Sequence, residues 1–407
     1  LVTSNAWLDV DYGKAVQKFL LSKTRWIMTI DNLAKRTFAQ SDINTVITLA
    51  VRASEGENVW DNEVRFVAFR IPFDDLSPEL FAVAFEEIFE AEERTQKPEY
   101  RVTPKTQREL YLEGVEEPEE GEQAQRTMEG VGDLSQLKYV GNKIGGKYLR
   151  APDIFFTILE KGKRILVPLH QVAEVKAGII TGDNRSFYRP RISKQVPDGW
   201  LPVFKSPREV HTIELQEKDA RTLLRVDNAP FRIKRAPLLW PDLRGDRHIC
   251  HLNQDGLPFE HNFHGIVPKE GIQTEILCAL LNTNLTAFFV EVLARTSLGG
   301  GAARLLRSDL INLPVVDPNC LTSSERERLL YAFNRLRRLP VGSLLEQIRI
   351  SPEGNVLISP DRQAMDLVVF ELLNLSPAEQ YEMYKALIEL VAMRLGKARS
   401  VRKKGAK

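Results

Sequence analysis

The acidic, glycine-rich stretch at residues 113–133 places the strongest limit on how this chain can fold. It holds eight acidic residues against a single arginine, with four glycines between them. Like charges repel one another, and so polar a stretch has too little apolar surface to compensate for the cost of ordering it. The pattern predicts an acidic linker over residues 113–137, with folded regions on both sides.

The rest of the chain has the composition of a globular protein. Its 407 residues are 43% hydrophobic and 27% charged, which excludes disorder throughout and suits two or three domains. Three widely spaced cysteines, Cys250, Cys278 and Cys320, argue against a disulfide framework and favour a reducing compartment. No apolar run approaches the roughly 18 residues of a membrane span. We therefore expect a cytoplasmic chain with no membrane partner and, because it opens on Leu1 rather than Met, a fragment.

Residues 1–112 alternate the periodicities of helices and strands. Near-continuous apolar runs predict strands at Trp26–Ile30, Thr45–Val51 and Arg65–Ile71. An acidic amphipathic helix is predicted over Pro78–Ala91. The apolar face of an earlier helix is predicted to consist of Ala15, Val16, Phe19 and Leu20. The region has the pattern of an α/β fold.

Residues 138–320 have short β-like runs between Pro, Gly and Asn residues, which predicts an irregular, β-rich α+β domain. The runs are Ile165–Leu169, Val172–Ala177, Leu201–Phe204 and His211–Glu214. From Arg185 to Arg247 there are fourteen basic residues against eight acidic ones. The aromatic residues among them are Phe187, Tyr188, Trp200, Phe204, Phe231 and Trp240. Such a mixture of cationic and aromatic side chains is typical of a nucleic-acid surface.

Residues 321–407 carry apolar residues at helical spacing, which predicts a helical C-terminal region. After Glu389 the charged residues are all basic, namely Arg394, Lys397, Arg399, Arg402, Lys403, Lys404 and Lys407. Such a basic tail either contacts phosphate groups without sequence preference or only aids solubility.

A group of histidines and a cysteine is a candidate for metal binding. His248, Cys250 and His251 are followed by His261 and His264, and zinc accepts such ligands. The first three lack the spacing of a zinc finger, however, and imidazole side chains serve equally well as hydrogen-bonding partners for bases or for the protein itself. Both interpretations remain open.

Other catalytic motifs are weaker. Asp153 with Glu174 and Lys176 has the residue types of a Mg²⁺-dependent nuclease, but Asp153 equally suits the start of a helix over Ile154–Leu159. The glycine-rich loops at 141–146 and 299–301 do not connect a strand to a helix as dinucleotide-binding loops do. The chain also has no phosphate-binding Gly-x-x-x-x-Gly-Lys motif and no Gly-x-Ser-x-Gly nucleophile motif.

A more specific candidate is the segment 175–188, in which a strand runs into a glycine-punctuated loop. The loop presents Thr181, Asn184, Arg185 and Tyr188, followed by Arg189. Asn and Arg side chains pair through two hydrogen bonds with the edges of adenine and guanine. The segment is consistent with base recognition and also with an ordinary surface turn.

Several segments, in the order in which they occur, resemble the TaqI-type, gamma-class adenine-N6 DNA methyltransferases and their nuclease-fused, type IIG relatives. Residues 1–13 resemble the region just after that family's catalytic Asn-Pro-Pro-aromatic motif. Residues 37–47, which begin Thr37-Phe38-Ala-Gln-Ser-Asp, resemble the segment that supplies an aromatic side chain to a flipped base. Lys147-Tyr-Leu-Arg-Ala-Pro-Asp153 and the 178–188 loop resemble the start of the target-recognition domain. The later segments that resemble this family are 261–265, 280–285, 299–313 and 397–401.

The resemblance implies the C-terminal part of a Rossmann-like methyltransferase sheet in 1–112, the linker 113–137, a target-recognition domain in 138–320 and a helical C-terminal region with a basic tail in 321–407. It implies the C-terminal half of a site-specific adenine-N6 DNA methyltransferase of a restriction-modification or phage-defence system, with double-stranded DNA as partner. Phe38 then stacks on the flipped adenine, unless it is a core residue at a strand end. The expected DNA contacts are Thr181, Asn184, Arg185, Tyr188, Arg189, His261, His264, Arg304 and Arg307.

The chain also departs from this family. It has neither the glycine-rich loop that binds S-adenosylmethionine nor any Pro-Pro pair. We therefore expect the cofactor site to lie upstream of Leu1, in a methyltransferase or nuclease portion of the same protein, and the fragment not to methylate DNA by itself. Mg²⁺ is expected only where a nuclease domain is attached. Two alternatives are a stand-alone DNA-binding specificity module and a zinc-stapled interaction protein.

Overall fold

The structure is a computed structural model that describes residues 1–9, 11–34, 44–115, 134–294, 302–351 and 355–402, with side chains for all of these except 11, 308 and 396–402. The chain divides into two compact units, Leu1–Ala151 and Pro152–Lys407. Each has its own sheets and its own hydrophobic core. The class is mixed α/β, with helices concentrated towards the C-terminus.

A six-stranded sheet forms the centre of the first unit. In spatial order its strands are Val2–Ser4, Thr45–Arg52, Thr24–Asn32, Glu63–Phe69, Tyr100–Thr106 and Thr95–Gln96. Thr24–Asn32 and Glu63–Phe69 run parallel, whereas the other neighbouring strands pair antiparallel. The predicted strands are therefore confirmed, but the sheet is mostly antiparallel.

Among the described residues, the first unit has α-helices at Lys14–Lys23, Pro78–Glu90 and Gln107–Leu112, with a π-helical turn at Gly145–Arg150. The helix predicted over Pro78–Ala91 is confirmed, and its start is capped by Ser77. Of the predicted apolar face of the first helix only Leu20 is buried, whereas Ala15, Val16 and Phe19 are exposed and the other buried residues are Gln17 and Leu21. Polar Gln17 is buried because its amide satisfies several backbone groups.

Gln17 joins the first helix to the segment that follows the acidic linker. Its amide nitrogen donates to the carbonyl oxygens of Trp7 at 2.9 Å and Asn142 at 3.0 Å. Its amide oxygen accepts from the Asn142 backbone N–H at 2.9 Å and the Tyr139 hydroxyl at 2.7 Å. Residues 138–151 therefore pack in the first unit, and the boundary between the compact units falls at Ala151 rather than at 137.

Short strands dominate the first half of the second unit. Its five-stranded sheet consists, in spatial order, of Glu214–Leu215, His251–Asn253, Leu238–Pro241, Phe263–Pro268 and Ala173–Ala177. A three-stranded antiparallel sheet consists of Trp200–Val203, Thr222–Arg225 and Tyr188–Pro190. Three strand pairs complete the set: Leu243–Arg244 with Ala303–Arg304, Leu166–Pro168 with Pro314–Val316, and Ile348–Ile350 with Val356–Ile358. The irregular, β-rich pattern predicted here is confirmed.

Helices make up most of the remainder of the second unit. Those of the second unit are Asp153–Lys161, Leu169–Val172, Asn184–Phe187, Thr274–Leu281, Asn284–Leu293, Arg307–Ile311, Ser323–Leu336, Leu344–Gln347, Pro360–Leu372 and Pro377–Arg402. Ser323–Leu336 packs against Thr274–Leu281, and Pro377–Arg402 packs against Asn284–Leu293. The helical C-terminal region is thus part of the same unit as the short strands, and it also contains the strand pair at 348–358 that the sequence did not predict.

No single helix of the described residues is both long and apolar enough to cross a membrane. Two consecutive helices are long and apolar enough only when they are taken together, and they meet at a bend of 61°. They are Thr274–Leu281 and Asn284–Leu293.

We expect Gln17→Leu to lower the free energy of unfolding of the first unit by about 2–3 kcal/mol, because buried backbone groups of Trp7 and Asn142 lose their partners. Urea unfolding followed by tryptophan fluorescence measures the change. The same substitution at the exposed Gln136 is the control and is expected to have little effect. Equal unfolding midpoints for the two variants would contradict the role given to Gln17.

Candidate nucleic-acid interface

The loop at residues 178–188, for which the sequence suggests base recognition and which we call the recognition loop, contains a short, capped helix on the surface. Asp183 accepts hydrogen bonds from the backbone N–H groups of Arg185 at 3.0 Å and Ser186 at 3.2 Å. A hydrogen bond from the Ser186 hydroxyl and these two backbone bonds lower the pKa of Asp183, so it caps the helix Asn184–Phe187 as a carboxylate. The Thr181 hydroxyl donates to the Asn184 side-chain oxygen at 2.8 Å. Asn184 and Arg185 are exposed, whereas Thr181 is buried and positions Asn184.

The three-stranded sheet next to this loop has a cationic outer face, which we call the basic sheet and define by Arg189, Trp200 and Arg225. Trp200 lies directly opposite Arg225, and Arg189 lies opposite Leu223, two residues before Arg225. Since side chains alternate along a strand, all three project from the same face. The Arg189 guanidinium lies over the Trp200 ring, 4.0 Å from its centroid. Both arginines are exposed.

The opposite face of the basic sheet is packed against a small core. Tyr188, Val203 and Leu224 are buried there together with Ile179. The cationic face therefore rests on a hydrophobic layer that keeps its strands in register.

Tyr188 lies inside this layer, so the prediction that it contacts DNA needs correcting. It is 7% exposed, and its hydroxyl has no hydrogen-bond partner among the described residues. Burial, with the nearby Glu260 carboxylate, raises the pKa of Tyr188. The Lys205 ammonium lies 4.6 Å from its ring centroid. Successive side chains of a strand point to opposite faces, so Arg189 projects to the surface while its neighbour Tyr188 projects into the core.

His264 is also an interior residue rather than a surface contact. It is 8% exposed, and its Nε2 lies 3.2 Å from Asp242 Oδ1 and 3.3 Å from the Leu305 carbonyl oxygen. Arg304 Nε donates to Asp242 Oδ2 at 2.9 Å. Burial alone would raise the pKa of Asp242, but the hydrogen bonds from His264 and Arg304 outweigh it and lower that pKa. His264, Asp242 and Arg304 therefore form one structural network, of which Arg304 remains partly exposed.

The other two predicted residues of this group are exposed. His261 Nδ1 lies 2.7 Å from Glu260 Oε1, and its side chain is 49% exposed. Arg307 Nε donates to the Val175 carbonyl oxygen at 2.8 Å, which attaches it beside the strand that leads into the recognition loop. Both are available to a partner at the surface.

A close backbone approach at Gly178 brings the loop and His261 together. A Cβ atom at Gly178 would lie 2.4 Å from the Glu260 carbonyl oxygen, so only glycine fits there. Directly after it, Ile179 N–H donates to the Phe259 carbonyl at 3.0 Å, and His261 N–H donates to the Ile179 carbonyl at 3.1 Å. The recognition loop therefore starts beside Glu260 and His261, although these residues lie far apart in the sequence.

The geometry gives no support to a zinc site. Among the described residues, no three His, Cys, Asp or Glu side chains are grouped so that they could hold a metal ion. His248 lies 2.7 Å from both the Leu281 carbonyl oxygen and an Arg244 nitrogen, and His251 Nδ1 lies 2.8 Å from the Thr212 carbonyl oxygen. Both histidines are buried, and so is Cys250. They belong to the core.

The nuclease-like residues are likewise placed for structural roles. Glu174 and Lys176 pair with each other at 3.1 Å on the strand Ala173–Ala177. Asp153 is the first residue of the helix Asp153–Lys161, where a carboxylate is favourable, and the capping position itself is Pro152.

Four predicted features lie outside the described residues or their side chains. These are Phe38, residues 116–133 of the acidic linker, the glycines at 299–301, and the basic tail beyond Leu395. Gly145 is described and is packed closely, because a Cβ atom there would lie 2.6 Å from an Asp9 carboxylate oxygen.

Sequence reasoning missed Arg225 and the pairing of Arg189 with Trp200. Trp200 was one of six aromatic residues in a basic region, and no local motif connects it to Arg189. Only the strand pairing brings them together.

No family model and no curated protein matches the sequence. Among solved structures, the chain is similar to the type IIG restriction endonuclease BpuSI, at 12% identity and a TM-score of 0.49, over 98% of this chain and 47% of that one. It is also similar to the HsdS subunit from Thermoanaerobacter tengcongensis, at 11% identity and a TM-score of 0.29, over 60% of this chain and 51% of that one. The chain thus spans about half the length of each of these structures.

Gly178→Ala is expected to lower the free energy of unfolding of the second unit by about 1–3 kcal/mol, because the new methyl group meets the Glu260 backbone. Gly245→Ala is the matched control, since nothing lies within 4 Å of the position of its Cβ atom. Urea unfolding compares the two. A Gly178→Ala variant as stable as Gly245→Ala would refute the close approach.

The buried histidines make stability depend on pH. Burial lowers the pKa of His251 to about 4, whereas the unfolded chain binds that proton near pH 6.5. The stabilising effect is therefore complete above about pH 6.5 and is lost as pH falls towards 4, by up to about 1.4 kcal/mol per pH unit for this group. Urea unfolding at a series of pH values measures the slope.

His251→Gln is expected to reduce that slope, leaving the contribution of His248, whose pKa burial also lowers. An unchanged slope in this variant would show that His251 is not protonated on unfolding.

Proposed function

We propose that this chain binds double-stranded DNA and supplies sequence recognition to an adenine-N6 DNA methyltransferase of a restriction-modification or phage-defence system. The basic sheet is the observation that carries this proposal. Its two exposed arginines project from the same face as Trp200, on strands fixed by a packed hydrophobic layer. The sequence resemblance to gamma-class methyltransferases supports the specific class of enzyme.

The stacking of Arg189 on Trp200 is well suited to reading DNA. A stacked guanidinium loses less freedom on binding than a free one, and it keeps its planar donors available for a guanine edge or a phosphate. Trp200 itself is partly exposed. The neighbouring Asn184 and Arg185 carry the side chains that pair with adenine and guanine.

The charge of the segment that contains this sheet supports the same partner. Of the fourteen basic residues between Arg185 and Arg247, ten are exposed. Arg191 is held by Glu217 at 2.8 Å and serves the fold instead. Exposed cationic side chains displace counterions from phosphate groups, so binding is expected to weaken as salt increases.

The first unit is assigned to the methyltransferase portion. In this proposal its sheet is the C-terminal part of a Rossmann-like sheet, and Phe38 stacks on the flipped adenine. The described residues do not fit S-adenosylmethionine: Gly145 is packed on Asp9, and the strand-to-helix glycine loop that would cradle the cofactor does not occur in the sequence. We assign the cofactor to another part of the parent protein and derive no catalytic step for this chain.

Arg189→Gln and Arg225→Gln are each expected to weaken binding to a duplex about tenfold or more at moderate salt, because each removes a cation from the proposed contact surface. Fluorescence anisotropy with a labelled duplex measures the affinity. The slope of log affinity against log salt is expected to become shallower by about one unit for each phosphate group that the variant no longer neutralises. Arg349→Gln, at an exposed arginine of the C-terminal strand pair, is the control. A decrease in affinity of equal size in all three variants would contradict the assignment.

Substitutions in the loop are expected to act on sequence preference. Asn184→Ala and Arg185→Ala should each relax preference at one position of the recognised sequence, at a cost of about 1–3 kcal/mol on matched DNA. Affinities for matched and scrambled duplexes separate this effect from general phosphate binding. If Arg185→Ala weakens both duplexes equally, the loop does not read bases.

A further inference from the structure

A cavity of ≈390 Å³ lies beside the turn 242–247 in the second unit. Its charged lining consists of Arg208, Arg244 and Arg247 with a single carboxylate, Asp246. Its lining includes no residue of the basic sheet. Three guanidinium groups around one small cavity make it electropositive.

Arg244 gives the cavity a buried charge. It is 4% exposed, and its guanidinium lies 4.1 Å from the Trp240 ring centroid. One of its terminal nitrogens lies 2.7 Å from His248 Nδ1, whereas its Nε has no hydrogen-bond partner among the described residues. Burial lowers the pKa of Arg244 to about 10, so it stays protonated at neutral pH. Its other terminal nitrogen donates to the Ile249 carbonyl oxygen at 3.4 Å, and the Glu291 carboxylate, which pairs with Arg394, is the nearby opposite charge that partly offsets the effect of burial on the pKa of Arg244.

Arg208, His211 and Arg247 line the same cavity as Arg244. Arg247 and His211 both line the cavity, and the Arg247 terminal nitrogen lies 2.6 Å from His211 Nδ1. Arg208 and Arg247 are exposed, so an incoming ligand can reach them. Here an anion can contact two exposed guanidinium groups and approach a third, buried one.

The turn that carries these residues is held on both sides. Arg394 donates to the Gly245 carbonyl oxygen at 3.0 Å and pairs with Glu291 at 2.8 Å. Leu344 N–H donates to the Asp246 carbonyl oxygen at 2.8 Å. Since these contacts fix the turn, the cavity is formed before any ligand arrives.

Apart from His211 and His251, the rest of the lining is largely apolar and includes Val210, Leu243 and Ile249. We infer that this cavity binds a small organic anion, a phosphate group carried on an apolar body, of about the size of a nucleoside monophosphate. Its volume lies within the range of small-molecule sites. This function goes beyond DNA recognition by the basic sheet. The phosphate belongs either to a free nucleotide or to a nucleotide of DNA, and the experiment separates the two sources.

The full chain is titrated calorimetrically with adenosine 5′-monophosphate as the probe. The monophosphate is expected to bind at least tenfold more tightly than adenosine, which lacks the charge, and than inorganic phosphate, which lacks the apolar body. Arg208→Gln and Arg247→Gln are each expected to weaken binding about tenfold, and Arg349→Gln to leave it unchanged. Leu243→Trp is expected to abolish binding by filling the cavity without removing a charge. Thermal unfolding confirms that each variant is folded.

Competition between the monophosphate and a DNA duplex shows whether the bound phosphate belongs to a free nucleotide or to DNA. If an unlabelled duplex displaces the monophosphate and Arg247→Gln weakens duplex binding, the site takes a DNA phosphate. If the duplex leaves the monophosphate bound, the ligand is a free nucleotide. The inference is overturned if the monophosphate does not bind, or if it binds Arg247→Gln and wild type equally well.

Discussion

The backbone passes so close to Glu260 at Gly178 that no side chain fits between them, and the arrangement of the candidate interface depends on this contact. Just beyond the antiparallel pairing of Ala173–Ala177 with Phe263–Pro268, Ile179 forms a separate parallel bridge with Glu260 through its backbone hydrogen bonds. The recognition loop therefore leaves the five-stranded sheet at a fixed point beside His261. The three-stranded sheet then packs on Ile179, which gives the exposed arginines a rigid support.

Sequence periodicity predicted the elements better than it predicted which side of them is buried. The apolar runs at Trp26–Ile30 and Thr45–Val51 are strands because β-branched and aromatic residues suit a pleated surface, which is mostly buried in the first run and half-buried in the second. The first helix differs from its predicted face because a buried amide, Gln17, replaces an apolar residue. Nothing local in the sequence distinguishes a glutamine that satisfies backbone groups from an exposed one.

In the candidate site, too, the sequence did not predict which side chains are buried. Arg185 and Arg189 are exposed as predicted, but Tyr188 and His264 are interior residues, since a side chain's neighbours depend on strand pairing across long separations. Trp200 could be noticed as an aromatic residue in a basic region, whereas its contact with Arg189 follows only from the register. Strand pairing also explains the histidines between 248 and 264. They are close in sequence, as metal ligands often are, but among the described residues they are not grouped so that they could bind a metal ion.

The central claim is that the second unit reads DNA sequence, and selection from a pool of random duplexes tests it most directly. The chain is mixed with the pool at moderate salt, and the retained duplexes are sequenced. Because phosphate attraction alone enriches no sequence, the account predicts a short enriched motif that contains adenine and weakens in the Arg185→Ala variant. Retention with no enrichment, or no retention even at low salt, would contradict it.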